Sequence, residues 1–320
     1  MNKPQIVILD AYTTNPGDLS WEPMKELGSC TIFDRTPADK ILERIRDVPI
    51  IITNKTFITE QIIENAPGLE YIGLLSTGTN AVDLKSCAKK GITVTNAPAY
   101  SSASVAQLVF AFILNYCQRV ADHSRGVFEG KWSQCADFCY WDFPLVELDG
   151  KILGIIGLGS IGSLVAKIGM AFNMRIIASR NSPGLTNPLN VQILHNEEVF
   201  KTADFVSLHC PLTPATKQIV NKHTLSTMKK NAFLINTGRG DLVNENDLAY
   251  ALQNGVIAGA GLDVTSQEPL PSNSPLLGAP RCWITPHLGW GTTAARQRLI
   301  NIVVENVRSY LSGKPINKVI

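Results

Sequence analysis

Three short stretches carry side chains suited to moving a proton beside a carboxylate: Asn236-Thr-Gly-Arg-Gly240, Asp263-Val-Thr-Ser-Gln-Glu-Pro269 and Thr285-Pro-His-Leu-Gly289. Arg239 lies between Gly238 and Gly240, where backbone can approach closely, and its planar fork suits a carboxylate. His287 sits between Pro286 and Leu288-Gly289, and Glu268 precedes Pro269 in a loop. A histidine beside a buried carboxylate has its pKa raised, which keeps a proton available for transfer near neutral pH. Taken singly, each has an ordinary reading: a surface turn for the Arg, a solvated Glu, a hydrogen-bonded structural His. Their joint order after a nucleotide-binding pattern favours chemistry. His123, His195, His209 and His223 show no comparable setting.

The pattern they follow begins at Lys151. Ile152 to Ile156 is an apolar run of strand length, Gly157, Gly159 and Gly162 follow in the spacing G-x-G-x-x-G, and Ile161, Leu164, Val165, Ile168 and Phe172 then recur at helical spacing. Strand, glycine turn and helix form the context that a dinucleotide site needs. The first glycine permits the tight turn, the second lets backbone approach a pyrophosphate, and the third lets helix pack close to strand. The helix start, with Ser160 and Ile161, offers free N–H groups and a positive dipole end to phosphates.

Alternating strands and helices must position these loops. Before the glycine motif, strands are expected at Ile6–Leu9, Thr31–Phe33, Ile50–Thr53, Tyr71–Leu75 and Thr93–Thr95, with a helix starting at Pro37. Ser101 to Arg119 reads as a long helix, apolar nearly all round and therefore buried, joining two domains and packing against a second subunit. An aromatic-rich segment follows, with Trp132, Phe138, Tyr140, Trp141 and Phe143: a surface loop, or one that closes over a site or reaches a partner. Later strands are expected at Arg175–Ser179, Phe205–His209, Phe233–Asn236, Gly259–Val264 and Trp283–Thr285, with a final amphipathic helix closed by Gly313 and Pro315. The alternation implies an α/β fold with parallel sheets. The three chemical stretches fall at carboxyl ends of strands, the edge where such sheets bind ligands.

Composition narrows the function classes. The 320 residues allow two domains, and 45% hydrophobic with 18% charged residues is ordinary for a soluble enzyme. A net charge of +2 gives no electrostatic reason to expect nucleic acid or a membrane surface. No signal peptide is expected ahead of the first strand, and the most apolar stretch, Val105 to Leu114, is too short to span a bilayer. Seven scattered cysteines suggest reduced thiols and a cytoplasmic location. Cys135 and Cys139, the only close pair, lack partners at zinc spacing, so no metal is expected.

The glycine motif, Asn236-Thr-Gly-Arg-Gly, Asp-Val-x-x-x-Glu-Pro and Thr-Pro-His together resemble the D-2-hydroxyacid dehydrogenases over essentially the whole chain. Thr53-Asn-Lys55, Ser76-Thr-Gly-Thr-Asn80 and Asp137-Phe-Cys-Tyr-Trp-Asp142 look closest to the glycerate dehydrogenase, or hydroxypyruvate reductase, branch. The resemblance implies that His287 is the acid/base, that Glu268 orients it and tunes its pKa, and that Arg239 binds the substrate carboxylate and carbonyl. It implies cofactor contacts from Gly157, Gly159, Ser160, Ile161, Gly162, Ser179, Arg180 and Asn181. Further contacts are implied at His209, Cys210, Pro211, Thr216, Thr237, Gly238, Arg239, Asp263, His287 and Gly289. Asn54 and the loop Ser76, Thr77, Gly78 and Thr79 would bind substrate, the loop as a nest of N–H groups. The implied architecture is two Rossmann-like or flavodoxin-like domains, interleaved: residues 1–98 plus 291–320 bind substrate, and residues 99–290 bind the dinucleotide. The active site would lie in the interdomain cleft of a homodimer subunit.

One position departs from the family pattern. NAD-binding members carry an acid at the end of the second strand, where this chain has Arg180 flanked by Ser179 and Asn181. A cation there favours a 2′-phosphate, so NADP(H) is expected, with NAD(H) and an adenine-stacked Arg180 as the alternative. The expected reaction is reduction of hydroxypyruvate or glyoxylate. Rival readings are a relative acting on another 2-keto acid, 3-phosphoglycerate, phosphite or formate, or a non-catalytic, nucleotide-sensing co-repressor-like scaffold.

Overall fold

A computed structural model describes residues 3–180 and 189–320. The chain forms two compact units, Met1–Ser101 with Trp290–Ile320, and Ser102–Gly289. In chain order, the first holds β1 (Gln5–Ile8), α1 (Glu22–Lys25), β2 (Ser29–Ile32), α2 (Ile41–Ile45), β3 (Ile50–Thr53), α3 (Glu60–Glu64), β4 (Tyr71–Leu74), α4 (Leu84–Lys90) and β5 (Thr93–Thr95). The second holds α5 (Ser102–Gln118), α6 (Val120–Phe128), β6 (Ile152–Ile156), α7 (Ser160–Ala171), β7 (Arg175–Ser179), β8 (Gln192–Ile193), α8 (Asn196–Thr202), β9 (Phe205–Leu208), α9 (Lys222–Thr227), β10 (Phe233–Asn236), α10 (Glu245–Gln253), β11 (Gly259–Leu262) and β12 (Cys282–Ile284). The last helix, α11 (Thr293–Leu311), returns to the first unit.

The first unit is a five-stranded parallel sheet in the order β2-β1-β3-β4-β5. Its inner strands β3 and β4 are buried on both faces because helices cover both. Ile6, Ile8 and Ile52 point to one side, where Leu299, Val303 and Val307 of α11 pack. Val7, Ile51 and Ile72 alternate to the other, against Ile41, Ile45 and Ile63.

The second unit is a seven-stranded parallel sheet in the order β12-β11-β10-β9-β6-β7-β8. The winding direction reverses between β6 and β9, which makes their carboxyl ends the topological switch point. Both sheets fit the expected α/β class.

Local differences from the sequence expectations have physical causes. Pro37 is extended (ψ 151°) and stands before a 3₁₀ turn at Ala38–Lys40, so regular helix begins only at Ile41. The long helix stops at Gln118 because Arg119 turns left-handed (φ 45°), and α6 follows at once. That second helix buries only Gly126 and leaves Val120 and Phe128 exposed. β8 is two exposed residues on the sheet edge, silent in sequence. Among the described residues, no helix is long and apolar enough to cross a membrane.

Candidate active site

At the switch point the three glycines are required for three different reasons. Gly157 has φ +101°, and a Cβ there would stand 2.6 Å from Cys210 N and 2.7 Å from His209 C. A Cβ on Gly162 would stand 2.3 Å from Gly157 O, so α7 can approach β6 only without one. Gly159 is different: nothing lies within 4 Å of its ideal Cβ. The space is open, and α7 starts beside it with no side chain capping its N–H groups. Such a cradle suits a pyrophosphate.

Neighbouring residues share that edge. Ser179 is buried at the end of β7 and its carbonyl accepts from Gly157 N at 2.9 Å; the half-exposed Arg180 follows, and Asn181 lies outside the described residues. Thr237, beyond β10, holds a buried Oγ1 with no hydrogen-bond partner among the described residues. A buried hydroxyl left unpaired is costly, which fits a site that a polar ligand completes. His209 Nε2 lies 2.8 Å from Ser207 Oγ, and desolvation pushes the imidazole down to about 4, so it stays neutral at physiological pH. Burial raises the Cys210 thiol. Thr216 Oγ1 donates to Pro211 O at 2.6 Å and accepts from Thr213 N at 2.8 Å, so this hydroxyl ties the 211–216 turn together.

The proton-transfer candidates meet at the ends of β10, β11 and β12. His287 Nδ1 lies 2.7 Å from Glu268 Oε2, and Glu268 Oε1 accepts from Thr265 N at 3.2 Å. Glu268 is exposed, not buried, so its carboxylate keeps water on its outer side. Asp263, only 2% exposed, organises the His287 loop. Its carbonyl accepts from His287 N at 2.9 Å, Oδ1 accepts from Thr285 Oγ1 at 2.7 Å and Leu288 N at 2.8 Å, and Oδ2 accepts from Gly289 N at 2.8 Å. His287 is thereby held at φ +51°, a conformation that needs such support.

Arg239 is exposed, and its Nη1 donates to Gly238 O at 2.7 Å, leaving the rest of the fork available. Its loop is pinned by the fully buried Asn236, whose Nδ2 donates to Arg239 O at 2.8 Å and whose Oδ1 accepts from Gly238 N at 3.1 Å. Gly240 lets that loop cross the next one: a Cβ there would stand 1.9 Å from Thr265 C. The Arg239 and Glu268 loops are therefore locked in register by backbone contact.

In the first unit, the Ser76–Thr79 loop follows β4. Thr77 Oγ1 donates to Ala97 O at 2.7 Å, Asn96 Nδ2 donates to Thr77 O at 2.7 Å, and Ser76 Oγ donates to Gly78 O at 2.6 Å. Among the described residues, the N–H groups of Thr77, Gly78 and Thr79 find no acceptor. A loop held by its side chains and carbonyls, with N–H groups open, has the form of an anion nest. Asn54, 5% exposed at the end of β3, places its amide 3.3 Å from Thr13 Oγ1 and 3.4 Å from Thr14 Oγ1.

Residues 110–289 match the family model for the NAD-binding domain of D-isomer specific 2-hydroxyacid dehydrogenases. The chain belongs to that family. It is an NAD(P)-dependent oxidoreductase acting on 2-hydroxy acids. It is 43% identical to a hydroxypyruvate reductase of Blautia hydrogenotrophica, over 98% of this chain and 99% of the relative. It is 35% identical to a glycerate dehydrogenase of Methylorubrum extorquens, over 88% of each. An NADPH-dependent glyoxylate/hydroxypyruvate reductase of Sinorhizobium meliloti, solved with NADP and malonate, superposes with a TM-score of 0.84 at 27% identity, covering 99% of this chain and 97% of that one.

Several supporting residues of this dehydrogenase carry no signal in the sequence. Ser207 acts through His209, two residues on, and Asn96 through the carbonyl of Thr77, 19 residues away. Asn236 was quotable as part of a motif, but its role as a pin is a matter of geometry.

Proposed function

We propose that this dehydrogenase reduces hydroxypyruvate to D-glycerate, or glyoxylate to glycolate. The observation that carries the reading is the 2.7 Å contact between His287 Nδ1 and Glu268 Oε2. With Nδ1–H donated to Glu268, Nε2 is the ring atom left for proton transfer, and among the described residues no hydrogen bond engages it. His287 gives its Nε2 proton to the keto oxygen, while Glu268 holds the ring and balances the imidazolium charge before transfer. Arg239 binds the substrate carboxylate and draws electron density from the carbonyl. The open N–H groups at Thr77–Thr79 take the carboxylate of the same substrate class, with Asn54 as a further contact. A bound nicotinamide dinucleotide supplies the hydride. Gly157, Gly159 and Gly162 with the start of α7 hold its pyrophosphate, and Thr237 gives its unpaired hydroxyl to it.

The cofactor is NADP(H), on the ground that Arg180 stands where a carboxylate would repel a 2′-phosphate. Residues 99–290 serve the dinucleotide, and residues 1–98 with 291–320 serve the substrate. The enzyme works in the cytoplasm as a homodimer. Exposed Phe128, Trp132, Phe138 and Trp141, held on α6 and the ordered loop after it, support a buried role for that segment in an assembly.

The deciding experiment is a panel of 2-keto acids followed by NAD(P)H absorbance. Hydroxypyruvate and glyoxylate should give the highest kcat/KM. Faster turnover of a phosphorylated or branched keto acid would reject the substrate assignment.

A further inference from the structure

Asp10 stands just past β1 and is used by nothing described so far. Its Oδ1 accepts from Asn54 N at 2.8 Å, and its Oδ2 accepts from Lys55 N at 2.6 Å and Thr56 N at 2.8 Å. Three consecutive N–H groups thus converge on one carboxylate, each bond strengthened by the charge. The Asn54 side chain has no comparable anchor, since its contacts to Thr13 and Thr14 are long, at 3.3 and 3.4 Å. What fixes Asn54 is its backbone, and what fixes that backbone is Asp10.

β1, β3 and β4 are adjacent parallel strands, so Asp10, Asn54 and Ser76–Thr79 line one sheet edge at steps of about 4.8 Å. That edge carries two backbone nests. The one at residues 54–56 is filled by the protein's own carboxylate, and the one at residues 77–79 has open N–H groups. We propose that Asp10 is a positioning residue for the keto acid: its carboxylate sets where Asn54 meets the substrate, and leaves the 77–79 nest as the open anion site on that edge. The proposal rests on the reading of Asn54 and the 77–79 loop as substrate contacts. It concerns binding of the keto acid and leaves the cofactor untouched.

Asp10→Asn is nearly isosteric but keeps one acceptor oxygen and turns an NH₂ toward the remaining N–H groups. The expected result is a KM for hydroxypyruvate raised about 10-fold, with kcat within about twofold and NADPH affinity unchanged. Asp10→Ala empties the nest, and added acetate should then lower KM back toward the wild-type value. Asp10→Glu keeps the charge one methylene further out, so a raised KM at wild-type melting temperature is expected even if the smaller variants fold poorly. An unchanged KM in Asp10→Asn, or equal losses in kcat, cofactor affinity and melting temperature without acetate rescue, would overturn the positioning role. A wild type that turned over no 2-keto acid would instead remove the substrate reading on which the proposal rests, an outcome distinct from an active variant with unchanged KM.

Discussion

Replacing Gly159 with Ala separates cofactor binding from folding. Gly159 has φ −90° and ψ −158°, an extended conformation open to any residue, and nothing lies within 4 Å of its ideal Cβ. Adding a methyl should not destabilise the chain; Gly→Ala at a compatible site gains about 0.4–1 kcal/mol through the unfolded state. If the open space beside Gly159 holds the pyrophosphate, the methyl stands in its approach to the α7 N–H groups. Pushing a phosphate outward by about 1 Å takes an N–H···O contact of ~2.9 Å out of hydrogen-bonding range. Losing one charge-assisted bond of about 1.5–3 kcal/mol weakens binding roughly 10- to 100-fold. Gly162→Ala is the control, because its Cβ would stand 2.3 Å from Gly157 O and 3.1 Å from Ile155 Cγ2. Backbone cannot rotate away, so a stability loss of about 1–3 kcal/mol is expected. Thermal melts beside fluorescence titrations with NADPH and NADH read both quantities. Wild-type affinity in Gly159→Ala, or equal loss of melting temperature in the two variants, would refute the cradle.

Arg239→Lys should lower kcat/KM for hydroxypyruvate more than about tenfold, since a compact ammonium cannot reproduce the two-pronged carboxylate contact; steady-state kinetics with a loss under about twofold would remove Arg239 from the substrate. Arg180→Asp should weaken NADPH about 10- to 100-fold and NADH less, because it removes an attraction to the 2′-phosphate and adds a repulsion. Equal wild-type Kd values for the two reduced cofactors would reject that preference.

The candidate residues for the chemistry are legible because their types and order are local. The glycine spacing, the Arg239 loop, Glu268 and His287 can each be quoted from a few consecutive positions, and the parallel sheets follow from apolar runs at regular intervals. What holds them was not legible. Asp263 is expected beside the cofactor, but nothing in the spacing shows that its carboxylate binds Thr285, Leu288 and Gly289 and so shapes the His287 loop. Thr216, also expected as a cofactor contact, uses its hydroxyl to close its own turn. The Asp263 role depends on where a second loop runs, and spacing along the chain does not encode that. Asp10 is the extreme case: its three partners are 44 to 46 positions away, joined to it only when β1 and β3 pair. α6 is hard to read for a local reason: it is nine residues long and holds Gly126, a poor helix former, inside it.

In the proposed mechanism His287, held by Glu268, delivers the proton in keto-acid reduction. Its most direct test is kcat/KM for hydroxypyruvate in His287→Ala beside the wild type, with NADPH Kd measured on the same samples. A loss of roughly 10²–10⁴-fold in turnover at nearly unchanged Kd is expected. Turnover at the wild-type rate, with Kd equally unchanged, would contradict it.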